Sequence, residues 1–299
     1  MSTAEPFIDV TVARELVNSQ FPHWSSHAVT RLEDEGWCNR TFRLGDNMLI
    51  RLPRHQAYAA QVEKEASWLP KLSHYLPLQI PQALALGAPS SNYPFHWSVC
   101  GWIEGQTARP ENVKDMSHLA RELAAFLAAL QRVPQQDGPQ PGPHNFFRGG
   151  TLSTYDAQTR AAIAAIATKL DAIAATEVWD RALASRWQRD PVWIHGDVSV
   201  GNLLVKDGQL CAVIDFGNIG VGDPACDLAM YWTIFEGNAR RSFKSGLDLD
   251  EETWARGRAW VLWKALILAA GLAASNSFEA SKSWSIIHEV LADHRRTDA

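Results

Sequence analysis

The apolar positions change period along the chain. Val10, Val12, Ala13, Leu16 and Val17 recur at a spacing near 3.6 and predict a helix within residues 8–21. Short strand-like runs follow at Val29 to Leu32, Thr41 to Leu44 and Asn47 to Leu52, the last two flanking the turn pair Gly45-Asp46. In the third run Met48, Ile50 and Leu52 share one face, while Leu49 and Arg51 share the other. A helix is predicted over 57–72, with Val62, Ala66 and Leu69 on one side, and two more strands near 82–86 and 97–102. Beyond Gly105 the period is helical. Leu119, Leu123, Phe126, Leu127 and Leu130 form one stripe, 155–173 reads as a single Ala-rich helix, and 252–292 reads as helices broken near Gly271 and Ser275. One strand pair interrupts this region, Leu203 to Val205 and Leu210 to Ile214 around Asp207-Gly208. The expected fold class is therefore α+β: a strand-rich part over 1–104 and a mainly helical part over 105–299.

Composition narrows the function classes. The chain has 299 residues, 46% hydrophobic and 20% charged, enough to bury a core without disulfide or metal staples. Its 28 basic and 33 acidic residues give a net charge of -5, which argues against a nucleic-acid binder and favours small cationic partners. Cys38, Cys100, Cys211 and Cys226 form no C-x-x-C pair and read as reduced thiols of a cytoplasmic protein. The N-terminal residues lack the basic and apolar regions of a signal peptide. The longest apolar stretch, Ala259 to Ala274, contains Lys264 and is too short to span a membrane.

The chemistry concentrates between 192 and 228. Val192-Trp193-Ile194 leads into His195-Gly196-Asp197, followed by Gly201-Asn202, the hairpin, and Asp215-Phe216-Gly217. A two-residue hairpin loop pairs 206 with 209 and 202 with 213, which places Asn202 and Asp215 together at the open end with Asp197 close by. Two carboxylates and an amide oxygen are what phosphoryl transfer requires. Mg²⁺ takes hard oxygen donors from few protein groups, and a further carboxylate orients the attacking hydroxyl. Asp197 and Asn202 have the spacing of a kinase catalytic loop.

His195-Gly196-Asp197, Asp215-Phe216-Gly217 and Asp223-Pro224-Ala225-Cys226-Asp227-Leu228 together resemble the aminoglycoside phosphotransferase family, which has the two-lobed protein-kinase-like fold. The resemblance covers nearly the whole chain. It implies an antiparallel N-terminal nucleotide lobe, a helical C-terminal lobe, and ATP or GTP with Mg²⁺. It makes Asp197 the catalytic base and Asn202 and Asp215 the metal ligands. His195 is expected to prop the loop, Asp223 to cap a helix starting at Pro224, and Asp227 to brace the catalytic-loop backbone. On the nucleotide side Arg51 stands where kinases carry a lysine, with Glu65 a better partner than Glu63. The phosphate-covering loop, Glu35 to Arg40, has a single glycine, and Asn39 could add a donor. The hinge at Cys100 to Glu104 would offer the backbone of Gly101 and Ile103 to a base.

The acceptor is expected to be a small hydroxyl compound, first an aminoglycoside, then a macrolide. The alternatives are a metabolite kinase acting on a choline-, homoserine- or methylthioribose-like compound, and a nucleotide-binding protein without turnover. Glu236, Asp248, Asp250, Glu251 and Glu252 could attract a cationic acceptor, but Asp250-Glu251-Glu252 also looks like a helix start. Trp232, Trp254, Trp260 and Trp263 fit a core stripe better than a pocket wall. The loop Asn145 to Gly150 either covers a substrate or braces the helical part.

Overall fold

A computed structural model describes residues 6–32, 38–135, 137–273 and 277–297. Helix α1 (Val10–Gln20) is capped by Asp9, whose carboxylate accepts from the Val12 N–H at 2.9 Å. It packs on an antiparallel sheet of β1 (Val29–Arg31), β2 (Asn39–Leu44), β3 (Met48–Pro53), β4 (Ala83–Gly87) and β5 (Trp97–Gly101), in the order β1-β2-β3-β5-β4. Leu44 pairs with Met48, so the β2–β3 connection is three residues, with Gly45 left-handed at φ 56°. That is one residue more than Gly45-Asp46 alone predicts. Ala13, Leu16 and Val17 meet Phe42, Leu44, Ile50, Leu52, Trp97 and Val99 in a core built wholly from residues 13–99. The opposite face of β2 and β3, carrying Asn39, Thr41 and Arg51, turns towards the rest of the chain, and α2 (Gln56–Leu72) lies beside it.

A second core begins at the end of α2, with Leu69 and Leu72, and runs to Leu291. It contains α3 (Met116–Gln131), α4 (Asp156–Ala165), α5 (Ala172–Leu183), α6 (Met230–Thr233), α7 (Gly237–Ser245), α8 (Glu251–Ala269) and α9 (Ser277–Thr297). Three small strand pairings are set among them. β6 (Gln106–Thr107) joins β8 (Leu203–Lys206), β8 joins β9 (Gln209–Val213), and β7 (Val192–Ile194) joins β10 (Gly220–Gly222). The Ala-rich stretch at 155–173 is two helices, not one. The chain leaves α4 after Ala165, and Asp171 restarts it by accepting from the Ala174 N–H at 3.1 Å. The alanines of the flanking stretches conceal that break, because they favour helix on both sides of it.

Buried charge ties distant parts of this region together. Arg256 on α8 donates to Asp223 at 2.6 Å and to the Ser185 hydroxyl at 3.0 Å. Asp293 on α9 accepts from Arg258 at 2.9 Å and from the Trp232 indole at 2.8 Å. Such pairs hold only while both members are present, since a lone buried charge costs several kcal/mol. All four cysteines are free thiols, and no helix among the described residues is long and apolar enough to cross a membrane.

Candidate active site

Strand β7 delivers His195-Gly196-Asp197 to the cleft between the two cores. The His195 ring is fully buried. Its Nε2 donates to the Ile214 carbonyl at 3.0 Å and its Nδ1 accepts from the Asp197 N–H at 3.2 Å. One ring nitrogen is used within the loop and the other ties it to the residue before Asp215, and the ring packs edge-on to Phe216 at 4.6 Å. Gly196 has φ 81°, and a Cβ there would lie 2.5 Å from the Asn218 carbonyl oxygen, so only glycine fits. Asp227 accepts from the His195 N–H at 2.8 Å and the Gly196 N–H at 2.7 Å. Burial pushes its carboxyl above the ordinary aspartate range, while His195 and the two N–H donors pull it back. Asp223 caps a short 3₁₀ turn (Pro224–Leu228) through the Ala225 N–H at 3.0 Å, and it also carries the ion pair to Arg256.

The Asp207-Gly208 hairpin brings Asn202 and Asp215 up beside Asp197. Lys206 pairs with Gln209, but Val213 pairs with Leu203 rather than Asn202. A bulge at Cys211, whose thiol meets the Leu204 carbonyl at 3.2 Å, shifts the register by one. The Asn202 carbonyl consequently receives the Ile214 N–H at 2.9 Å, next to Asp215. Asn202 Nδ2 donates to the Asp197 backbone carbonyl at 2.9 Å and approaches its carboxylate at 3.5 Å. The amide is thus turned with its nitrogen on Asp197, which leaves its oxygen to ligate a cation. Asp215 is left-handed at φ 62°, a strained choice for a residue with a side chain. Phe216 behind it is fully buried and packs on Phe126. Among the described residues no three His, Cys, Asp or Glu side chains converge into a preformed metal cage. An amide oxygen and a part-exposed carboxylate are still a fit for Mg²⁺, which takes much of its shell from water and phosphate.

Arg51 reaches into the cleft from β3. It donates to Glu65 on α2 at 2.6 Å and to Asp215 at 3.4 Å. Burial alone would drive both groups towards neutrality. Glu65, Cys100 and Asp215 outweigh it for Arg51 and hold the guanidinium charged. Glu63 instead points outward, to His96. Asn39 is buried at the start of β2, on the same sheet face as Arg51. Cys38 precedes it, and its thiol is pushed up to about 12 by burial and by Asp215 and Asp197, so it is no nucleophile. Residues 35–37 of the expected phosphate-covering loop lie outside the described residues. At the hinge the Gly101 N–H donates to the Gln82 carbonyl at 3.1 Å, which removes that donor from a base edge. A Cβ at Gly101 would meet nothing within 4 Å, whereas Ile103 is buried.

Within the acidic run at 248–252, one carboxylate caps a helix and two make exposed ion pairs. Asp250 caps α8 through Thr253 at 2.7 Å, Asp248 pairs with Arg189 and Glu251 with Lys244. Trp232, Trp254, Trp260 and Trp263 are core residues, each at most 7% exposed. Residue patterns alone did not reveal Arg256 or Arg148 as neighbours of the site. Arg256 lies 33 residues from Asp223, and Arg148 donates to the Gly196 carbonyl at 3.1 Å across 48 residues. The one local signal was the unusual Asn145 to Gly150 loop.

Comparison with known proteins places this geometry. The structure resembles the GDP complex of wild-type aminoglycoside 2'-phosphotransferase-IIIa (TM-score 0.70, 20% identity, 96% of this chain and 100% of that one). It also resembles a macrolide 2'-phosphotransferase from Brachybacterium faecium (TM-score 0.59, 19% identity, 93% and 97%). At these identities the likeness speaks for the two-lobed fold. An Escherichia coli aminoglycoside 3'-phosphotransferase is 45% identical over 47 residues, a match spanning 16% of this chain and 17% of that protein. The sequence model of the phosphotransferase enzyme family matches residues 29–260, about three quarters of the chain and all of the cleft just described. With the cleft inside that match and the two-lobed fold around it, the chain belongs to the phosphotransferase enzyme family.

Proposed function

We propose that this chain is a small-molecule kinase that moves the γ-phosphoryl group of ATP or GTP to a hydroxyl of an antibiotic-like acceptor. Residues 1–104 would hold the nucleotide, and 105–299 would carry the catalytic loop and the acceptor. One observation carries the reading: Arg51 with Glu65, and Asp197 with Asn202 and Asp215, meet in one cleft from four separate elements. Asp197 accepts the proton of the attacking hydroxyl and aims its oxygen. Arg51, held by Glu65, offers a fixed positive fork to phosphate oxygens. Asn202 and Asp215 would hold Mg²⁺, which neutralises phosphate charge when bound. Asn39 would donate to the phosphates, and the Gly101 carbonyl with the Ile103 backbone would meet the base. A cytoplasmic location, where ATP and Mg²⁺ are abundant, and a role in antibiotic resistance belong to the same proposal.

The acceptor class divides into two readings. The similarity to aminoglycoside phosphotransferases favours an aminoglycoside. The engagement of Asp248, Asp250 and Glu251 in caps and ion pairs favours a less cationic acceptor such as a macrolide. The test is nucleotide consumption with Mg²⁺, ATP or GTP, and a panel of aminoglycosides, macrolides and metabolite alcohols, with Asp197→Asn beside the parent. Acceptor-dependent turnover lost in the variant supports the reading and names the acceptor. Nucleotide binding without turnover on any acceptor would overturn it in favour of a binding protein.

A further inference from the structure

We propose that Arg148 is a positioning residue for the catalytic loop. It holds the Gly196 carbonyl, where Asp227 holds the N–H, and so fixes the direction in which Asp197 is presented. The proposal deepens the reading of Asp197 given above and rests on it for its effect on rate.

The need for such a residue follows from Gly196. The close Asn218 carbonyl excludes a side chain, and the left-handed φ of 81° suits glycine. A glycine is also the residue least able to hold its own conformation, so its restraint must come from outside. Asp227 restrains the N–H of Gly196. The carbonyl belongs to the next peptide, the one leading into Asp197, and Asp227 does not touch it. Arg148 Nε donates to that carbonyl at 3.1 Å. With the Asp197 N–H already held by His195 Nδ1 at 3.2 Å, the Arg148 contact secures the other end of the same peptide, and all three contacts fix the planes on either side of Gly196.

Arg148 is itself held from several directions. Its guanidinium stacks over Trp260 and Trp263 on α8, at 5.1 and 5.2 Å from the ring centres. A further guanidinium nitrogen donates to the Tyr155 hydroxyl at 3.3 Å, and that hydroxyl donates to the Phe146 carbonyl. The loop carrying Arg148 holds two consecutive phenylalanines in the left-handed region, Phe146 at φ 51° and Phe147 at φ 56°. Strain of that kind persists only where the surroundings over-determine the backbone. Here the fully buried Asn145 accepts from the Gly142 N–H at 3.0 Å and donates to the Arg148 carbonyl at 3.2 Å. The Gly149 carbonyl accepts from the Asp223 N–H at 2.8 Å. A surface arginine with no task has no reason to be seated so rigidly with one N–H aimed at the loop before Asp197.

The experiment compares the parent with Arg148→Ala and Arg148→Lys. Turnover is measured with Mg·ATP and Mg·GTP on kanamycin and on a macrolide, alongside nucleotide Kd and amide hydrogen exchange over residues 194–198. The expected result for Arg148→Ala is a kcat lower by ~10- to 100-fold, the scale of a modest misplacement of a catalytic group, with nucleotide Kd changed by less than about threefold. Exchange at 194–198 rises, and added guanidinium ion restores part of the kcat, which a merely structural loss would not permit. Arg148→Lys keeps the fold and the charge but cannot stack and reach together, so it too loses rate. It decides the matter if the alanine variant does not fold. Parent-like exchange at 194–198 in a folded variant, or parent-like kcat, overturns the proposal. If the parent turns over neither acceptor, the functional reading fails, and the exchange measurement still decides whether Arg148 holds the loop.

Discussion

Replacing Asp227 by asparagine isolates the brace beneath the catalytic loop. The carboxylate is 1% exposed and accepts two backbone N–H groups, at 2.8 and 2.7 Å. Asparagine has the same shape but one accepting oxygen, and its NH₂ group would face a second N–H. One buried donor then loses its partner, which costs about 1–3 kcal/mol, and the surviving bond loses its charge assistance, about 1–2 kcal/mol more. The expected destabilisation is about 2–5 kcal/mol. With an unfolding entropy near 2.1 cal/mol/K per residue, a chain of this size should melt roughly 3–8 °C lower. Because the same N–H groups set the backbone before Asp197, kcat should fall by about tenfold or more while nucleotide Kd holds. Differential scanning calorimetry and steady-state kinetics on the purified variant measure both. A melting temperature within about 2 °C of the parent would refute the assignment of Asp227 as a charged acceptor of two N–H bonds.

Two other predictions rest on the charges that face the cleft. Arg51→Ala leaves Glu65 buried without its cation and should cost about 3–5 kcal/mol of stability, with nucleotide affinity down by about tenfold or more. Arg51→Met combined with Glu65→Leu should recover the stability without the affinity. Recovery of both, by urea unfolding and calorimetric titration, would sink the phosphate role of Arg51. Lys64, whose Nζ lies 3.1 Å from His144 Nδ1, is lowered by burial to about 8 from its ordinary 10.5. Below pH 8 it is charged in both states and the burial penalty is present in full. Between about pH 8 and 10.5 the folded state has released a proton that the unfolded state retains, so this group makes stability rise with pH, by on the order of 3 kcal/mol. Lys64→Met should abolish that rise, and equal slopes for the two proteins would contradict it.

The parts of the fold that could be read from the chain are those where one local rule decides. Asp207-Gly208 between apolar runs fixes a hairpin, and His195, Asp197, Asn202 and Asp215 fall near one another because the hairpin is there. What could not be read depends on partners far away in sequence. The bulge at Cys211 moved the register by one, and it is a matter of local twist rather than of hydrophobic alternation. The break after Ala165 is marked only by Thr168 and Asp171, weak signals inside an Ala-rich stretch. Gly220 to Gly222 has no strand signal and pairs with β7 because glycine lets the loop around Gly149 approach, with a Cβ at Gly222 falling 2.3 Å from the Gly149 carbonyl oxygen. The run at 248–252 admitted an acidic acceptor patch but read better as a helix start, and Asp250 is the cap of α8 through Thr253.

The division between the two cores also sets an order of events during synthesis. Every member of the first core is made by residue 99, so it can close while the remainder is still being translated. The second core cannot. Arg258 is destined for a buried pair with Asp293, which is translated 35 residues later, and the Trp232 indole awaits the same carboxylate. At roughly 5–20 residues per second that interval is about 2–7 seconds, longer still once ribosomal tunnel transit is added. Throughout it a cation, an indole and the part of α8 that α9 covers have no mate on the nascent chain. The helical half is therefore the part of this protein that a chaperone would meet, and slowing translation after residue 258 should raise its losses to aggregation without touching the sheet.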